Sequence, residues 1–191
     1  MGQPRYPQIR LCFVCMGNIC RSPTAEGIMK SLLKAAGFHK QISVESAGME
    51  SYHVGQRADS RAYEMARTRG VTLNSRARQF TIDDFAQFDY VLAMDHVNRD
   101  DLLELAPDES AREKIFLLRS FDASAPPEAE VPDPYSGGRT GFIEVFDQCE
   151  RACAGLLTLL YMTDPEENIV ELQKWHKDYD GAQSALPLDR F

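Results

Sequence analysis

The chain has 191 residues, enough for one domain with a substantial core and short for two, and its 43% hydrophobic fraction is ordinary for a globular protein. Its net charge of −8 argues against nucleic acid as the main partner, because gripping a phosphate backbone needs clustered Lys and Arg. No apolar run approaches the roughly 20 residues of a membrane span, the first ten residues lack the apolar stretch of a signal peptide, and Tyr6 stands where myristoylation wants Ser or Thr. The expectation is a cytoplasmic protein with no membrane partner.

In chain order, Ile9 to Val14 is short, apolar and rich in β-formers, which predicts a buried strand. It runs into the loop Cys15-Met16-Gly17-Asn18-Ile19-Cys20-Arg21. Ser22-Pro23 then predicts a helix start, with Ser22 as N-cap and Pro23 in the first helical position. Ile28, Met29, Leu32, Leu33 and Ala36 give that helix one apolar face, and Gly37 ends it. A second strand is expected at Ile42 to Ala47, a second helix at Ser60 to Arg69 before Gly70, and a third strand at Phe88 to Met94. A helix ending near Pro107 and a fourth strand at Ile115 to Leu118 follow. A loop rich in Ala, Pro and Glu leads to Asp133-Pro134-Tyr135. The last long helix spans Thr140 to Met162, with Phe142, Val145, Phe146, Cys149, Cys153, Leu156, Leu157 and Leu160 at helical spacing.

Strands alternating with helices imply right-handed crossovers and a parallel sheet covered on both faces, whose ligand sits beyond the carboxyl ends of the strands. Cys15 lies at such an end. The tail after Asp164, with Trp175 and Tyr179 as its aromatics, is read as a C-terminal extension (163–191), either a short docked helix or a loose end, beside a main domain over 8–162.

The five cysteines are odd in number and unevenly placed: Cys12, Cys15 and Cys20 crowd the first strand, while Cys149 and Cys153 sit on the last helix. Without a secretory signal this favours a reactive thiol over a disulfide framework. The spacing Cys15-x5-Arg21-Ser22 between a strand and a helix start suits an oxyanion. Successive backbone N–H groups make an anion-binding nest, and the helix adds its free N–H groups and positive dipole end. Arg21 at the loop's end presents a bidentate guanidinium to two phosphate oxygens. The same charges stabilise a thiolate, the form in which cysteine is a nucleophile. Gly17 and Asn18 tolerate a left-handed backbone, and Ser22 can donate its hydroxyl to the sulfur. The bland alternatives are a structural cysteine before an ordinary turn and a metal site from Cys12, Cys15 and Cys20, whose spacing fits no closed zinc pattern. No metal and no cofactor is called for, because Arg21 and the backbone do the work of a cation.

The run Val14-Cys15-Met16-Gly17-Asn18-Ile19-Cys20-Arg21-Ser22-Pro23 resembles the signature loop of the low-molecular-weight protein tyrosine phosphatases. The resemblance continues through Ser46-Ala47-Gly48, His53-Val54-Gly55, Asp59-Ser60-Arg61-Ala62 and Ala93-Met94-Asp95 to Asp133-Pro134-Tyr135, covering residues 8 to 162. It implies a flavodoxin-like α/β fold: a four-stranded parallel sheet with helices on both faces. It also implies hydrolysis of phosphotyrosine through a phosphocysteine on Cys15, with Arg21 binding the phosphoryl group and Asp133 as general acid and then base. The residues from Met16 to Cys20, with Ser22, would then bind phosphate. Tyr135 would stack on the substrate, with Tyr52 opposite where relatives often carry Trp. The implied partners are phosphotyrosine-containing proteins, and a monomer or weak homodimer is expected.

Taken by residue type alone, Asp133-Pro134-Tyr135 also suits a plain turn, Tyr52 and Tyr135 suit routine half-buried tyrosines, and His53 suits a loop hydrogen-bonder. Asp59 and Asp95 are expected to orient loops near the site. Ile19 resembles the tyrosine-type members, whereas arginine-phosphatase relatives place Thr there. By the same resemblance Cys20 could trap an oxidised Cys15 as a disulfide, the alternative being a small packing residue. Two rivals remain. Arsenate reduction uses this loop but needs resolving cysteines, and Val71 to Phe80 contains none. A phosphotyrosine-binding module without turnover predicts loss of Cys15 or Asp133, and both are present.

Overall fold

The computed structural model describes residues 8–162; the expectations for the first residues and for the extension with Trp175 and Tyr179 fall outside that span. Four strands form one parallel sheet: β1 (Ile9–Cys15), β2 (Ile42–Gly48), β3 (Tyr90–Ala93) and β4 (Ile115–Leu117), in the order β2-β1-β3-β4. β1 is central, with Leu11 opposite Val44 on one side and Tyr90 on the other. The connections leave β1 in one direction for β2 and return past it to β3. The carboxyl end of β1 is therefore the switch point where a crevice opens in folds of this kind.

Strand alternation sorts the core. Leu11 and Phe13 of β1, Ile42 and Val44 of β2, and Leu92 of β3 meet α1 (Arg21–Ala36), α2 (Ser60–Thr68) and α6 (Arg139–Met162). Cys12, Val14, Val91, Ala93 and Leu117 face the other way, against Phe80, Phe85, Phe88, Leu102 and Ala111. That second layer carries α3 (Asp84–Gln87), α4 (His96–Leu105) and α5 (Glu109–Arg112). Burying a Leu or Phe side chain contributes about 1.5–3 kcal/mol, and the two continuous layers hold the sheet rigid beneath its loops. Cys149 and Cys153 are fully buried in α6, as the helical spacing predicts. No helix among the described residues is long and apolar enough to cross a membrane.

Three expectations need correction. α1 begins at Arg21 with Cys20 as its N-cap, and no side chain caps it. Ser22 is thus inside the helix, its hydroxyl committed to Cys15, Asn18 and the Ala47 carbonyl rather than to a cap. Ala36 is exposed rather than part of the apolar face, while Gly37 ends the helix at a φ of 83°. The third strand is shorter than expected, since Phe88 leaves the sheet line to pack in the second layer. Two one-turn helices, α3 and α5, and the 3-10 turn Leu118–Phe121 were not foreseen.

Candidate active site

The loop after β1 folds back over the edge of the sheet and is held there by its own backbone. Met49 N–H donates to the Cys15 carbonyl and Glu50 N–H to the Met16 carbonyl, each at 2.9 Å. Asn18 adopts a left-handed conformation, φ 54°, and is only 2% exposed. Its side chain is the loop's central tie. Nδ2 donates to Ser22 Oγ and Ser46 Oγ at 2.8 Å each, and Oδ1 accepts from the Arg78 N–H at 3.0 Å. An Asn tolerates the left-handed backbone and supplies both donor and acceptor, which explains the residue type. Ser22 Oγ lies 3.1 Å from Cys15 Sγ. Asn18 donates to that hydroxyl oxygen, and the hydroxyl hydrogen has two acceptors in reach, the sulfur and the Ala47 carbonyl at 3.3 Å. Ser46 passes the chain on to the buried carboxylate of Glu26, which pairs with Lys30.

Arg21, 2% exposed, is aimed by three acceptors from two segments distant in sequence. Nη1 bonds the Asp95 carboxylate and the Val131 carbonyl at 3.2 Å; Nη2 donates to Asp133 Oδ2 at 3.1 Å. Burial pulls the guanidinium's proton affinity down, but Cys15, Asp95 and Asp133 outweigh it and keep the group charged. Asp95 does two things at once, because its other oxygen caps α4 by accepting from Asn98 N–H at 2.7 Å. Asp133 is half exposed, and its Oδ1 accepts from the Tyr135 N–H at 3.0 Å, a tight local turn that sets the carboxylate's direction.

The walls are aromatic. Tyr52 and Tyr135 are 58% and 53% exposed. A methyl group placed on Gly17 would stand 2.8 Å from His53 Cδ2 and 3.5 Å from Tyr52 Cε2, so these two side chains lie against the loop. The Tyr52 phenol is pushed up by its slight burial and then by Glu50, Cys15 and Asp133, which puts it in electrostatic reach of the same centre. Met16 is 40% exposed at the rim, whereas Ile19 and Cys20 are buried beneath it. Burial first, then Asp59, pushes the Cys20 thiol up to about 12. All five cysteines are free thiols. Among the described residues no group of three His, Cys, Asp or Glu could hold a metal ion.

Every residue expected at the site from sequence is thus gathered at one sheet edge. Asp59 and Asp95 are helix caps: Asp59 caps α2, and its own N–H donates to the Ile19 carbonyl at 2.7 Å. Four contributors were given no role at the site. The Val131 carbonyl carries no sequence signal. Ser46 stood among the residues carrying the resemblance with no role read for it, and Glu26 was legible only as a polar residue inside an otherwise apolar segment. Arg61 stood among the residues that carry the family resemblance, with no role read for it.

Comparison with known proteins adds an independent line. The family model for the low molecular weight phosphotyrosine protein phosphatases matches residues 10–167. A low molecular weight protein-tyrosine-phosphatase of Streptomyces coelicolor is 43% identical over 149 residues, covering 78% of this chain and 91% of that protein. A protein tyrosine phosphatase of Entamoeba histolytica, solved with Hepes in its active site, shares 42% identity with a TM-score of 0.78 over 81% of this chain and 98% of that one. A Drosophila arginine phosphatase is similar at 32% identity and a TM-score of 0.76, over 82% of this chain and 100% of that one.

Proposed function

We propose that this chain, which belongs to the low molecular weight phosphotyrosine protein phosphatase family, hydrolyses protein phosphotyrosine through a phosphocysteine intermediate on Cys15. The observation that carries this is the convergence on one loop of three groups. The Cys15 sulfur sits 3.1 Å from the Ser22 hydroxyl, Arg21 closes the loop, and Asp133 rests on the Arg21 guanidinium.

In the first step the Cys15 thiolate attacks phosphorus in line with the phenolic oxygen. The S–P bond forms as the P–O bond breaks, and Asp133 in its acid form gives its proton to the departing phenolate. The loop N–H groups, the start of α1 and Arg21 stabilise the charge on the three remaining phosphoryl oxygens. The Ser22 hydroxyl supports the thiolate as nucleophile and again as leaving group. In the second step the Asp133 carboxylate takes a proton from water. The water oxygen attacks phosphorus, the P–S bond breaks, and inorganic phosphate leaves with the thiolate restored. Tyr52 and Tyr135 would flank the substrate ring. Ile19 supports tyrosine rather than arginine as the phosphorylated residue.

The test is p-nitrophenyl phosphate hydrolysis in EDTA by wild type, Cys15→Ser and Asp133→Ala, followed by a phosphotyrosine and phosphoarginine panel. We expect turnover by wild type, none by the serine variant, and a rate lowered by about 10²-fold or more for the alanine variant. A folded, reduced wild type that does not turn over any of these esters would remove the proposal.

A further inference from the structure

We propose that Arg61 is the positioning residue for Asp133, clamping the loop that carries the acid to the loop that carries the nucleophile; this rests on Asp133 being the general acid. Arg61 lies in the first turn of α2, outside the phosphate loop, and its hydrogen bonds go to Asp59, Tyr135 and Gly137 rather than to Cys15 or Arg21. Its guanidinium uses both edges. Toward its own helix start, Nε donates to Asp59 Oδ1 at 3.0 Å and Nη2 to Asp59 Oδ2 at 2.9 Å. Toward the acid loop, Nη1 donates to the Tyr135 carbonyl at 3.1 Å and the Gly137 carbonyl at 3.3 Å. The plane is backed by two rings, with the guanidinium carbon 5.5 Å from the Tyr135 centroid and 4.6 Å from that of Phe142.

Each end of this clamp is tied through one further bond, one to the phosphate loop and the other to the acid. Asp59 N–H holds the Ile19 carbonyl of the phosphate loop at 2.7 Å. Tyr135 N–H holds Asp133 Oδ1 at 3.0 Å. The chain of contacts therefore runs from the phosphate loop through Asp59 and Arg61 to the peptide that orients the acid. Asp133 needs such help, because its side chain is half exposed and its other tie is Arg21, the very group that must engage phosphate. A planar fork that bonds a carboxylate on one side and two carbonyls on the other is a task for arginine, which lysine's single ammonium cannot match.

The experiment compares Arg61→Ala, Arg61→Lys and Asp133→Ala, each with phenyl phosphate and with dinitrophenyl phosphate, alone and in the Arg61→Ala/Asp133→Ala double variant. Phenolate is a poor leaving group that needs the proton, and dinitrophenolate leaves without it. We expect Arg61→Ala to lower kcat/KM for phenyl phosphate by about 10–100-fold and for dinitrophenyl phosphate by about threefold or less. Arg61→Lys should fall between wild type and alanine. In the Asp133→Ala background the Arg61 change should add almost nothing, and inhibition by inorganic phosphate should stay near the wild-type value throughout. Equal losses on both esters, or full additivity with Asp133→Ala, would overturn the positioning role while leaving the acid in place. If Asp133→Ala itself slows both esters equally, the acid assignment fails and this proposal falls with it. A variant that unfolds would show as loss of phosphate inhibition, and Arg61→Lys then decides alone by the same ratio of the two esters.

Discussion

Replacing Gly48 with alanine tests how the phosphate loop is seated. The added methyl would stand 2.8 Å from the Met16 carbonyl oxygen and 3.1 Å from both the Asn18 nitrogen and the Gly17 carbonyl carbon. All three are backbone atoms of the loop, so no side-chain rotation relieves the contact. Gly48 cannot retreat either. Its N–H donates to the Arg78 carbonyl at 2.8 Å, and its carbonyl accepts from Phe80 N–H at 2.7 Å. The loop must therefore lift by about 0.5 Å to reach ordinary van der Waals distance. Overpacking of this size costs about 1–3 kcal/mol, or about 2–12 °C in Tm for a domain of this length. Since a misplacement of about 1 Å at a reacting centre costs on the order of 10²-fold, kcat/KM for p-nitrophenyl phosphate should fall about tenfold, with inhibition by inorganic phosphate weakened in parallel. Gly138→Ala is the control, because a methyl there meets nothing within 4 Å and should change stability by no more than about 0.5 kcal/mol. A Gly48→Ala protein that loses stability yet keeps wild-type phosphate inhibition and kcat/KM would refute the seating.

Three other predictions follow from the same contacts. Asp95→Asn keeps a cap for α4 but removes the charge that aims Arg21, whereas Asp95→Ala removes both; kcat/KM should fall about 10–100-fold in each, with a further Tm loss from about 1 kcal/mol of lost cap in the alanine variant alone. Asp59 is held below the usual carboxylate range, first by its side-chain bonds with Arg61 and against the opposing effect of burial. A carboxylate with a depressed folded value stabilises above its unfolded value, about 3.9, and loses that contribution as pH falls through the folded one. The Tm gap between wild type and Asp59→Asn should accordingly be flat from pH 7 to about 4 and close only in more acid solution; a gap that closes between pH 7 and 5 would contradict the pairing. EDTA should leave turnover unchanged, measured against a sample with added divalent cation.

Much of this architecture was legible because the informative residues are close in sequence. β1, its loop and α1 form one run in which apolar β-formers give way to Cys-x5-Arg and then to helical periodicity. Asp133 was a different matter: it stands 112 residues from Arg21, and only family resemblance linked the two. The helix start was misplaced because Ser22-Pro23 matches a cap pattern locally, while the folded loop spends the Ser22 hydroxyl on the sulfur and Asn18. α3 and α5 were missed because four residues carry no period. They exist because tertiary contacts fix them: Arg78 pairs with the buried Asp84, and Asp108 caps Ala111 N–H at 2.8 Å. Arg61 was legible only as part of the family resemblance, and its role was not, because the carbonyls it holds are 74 and 76 residues away.

The central claim is that phosphate passes through Cys15. Mixing the enzyme with a phosphotyrosine peptide, quenching in acid and mapping the digest by mass spectrometry tests it most directly. A phosphoryl group on the peptide containing Cys15, absent from Cys15→Ser, is the predicted result. Steady turnover with no phosphoryl group on that peptide, or with one on another residue, would contradict it.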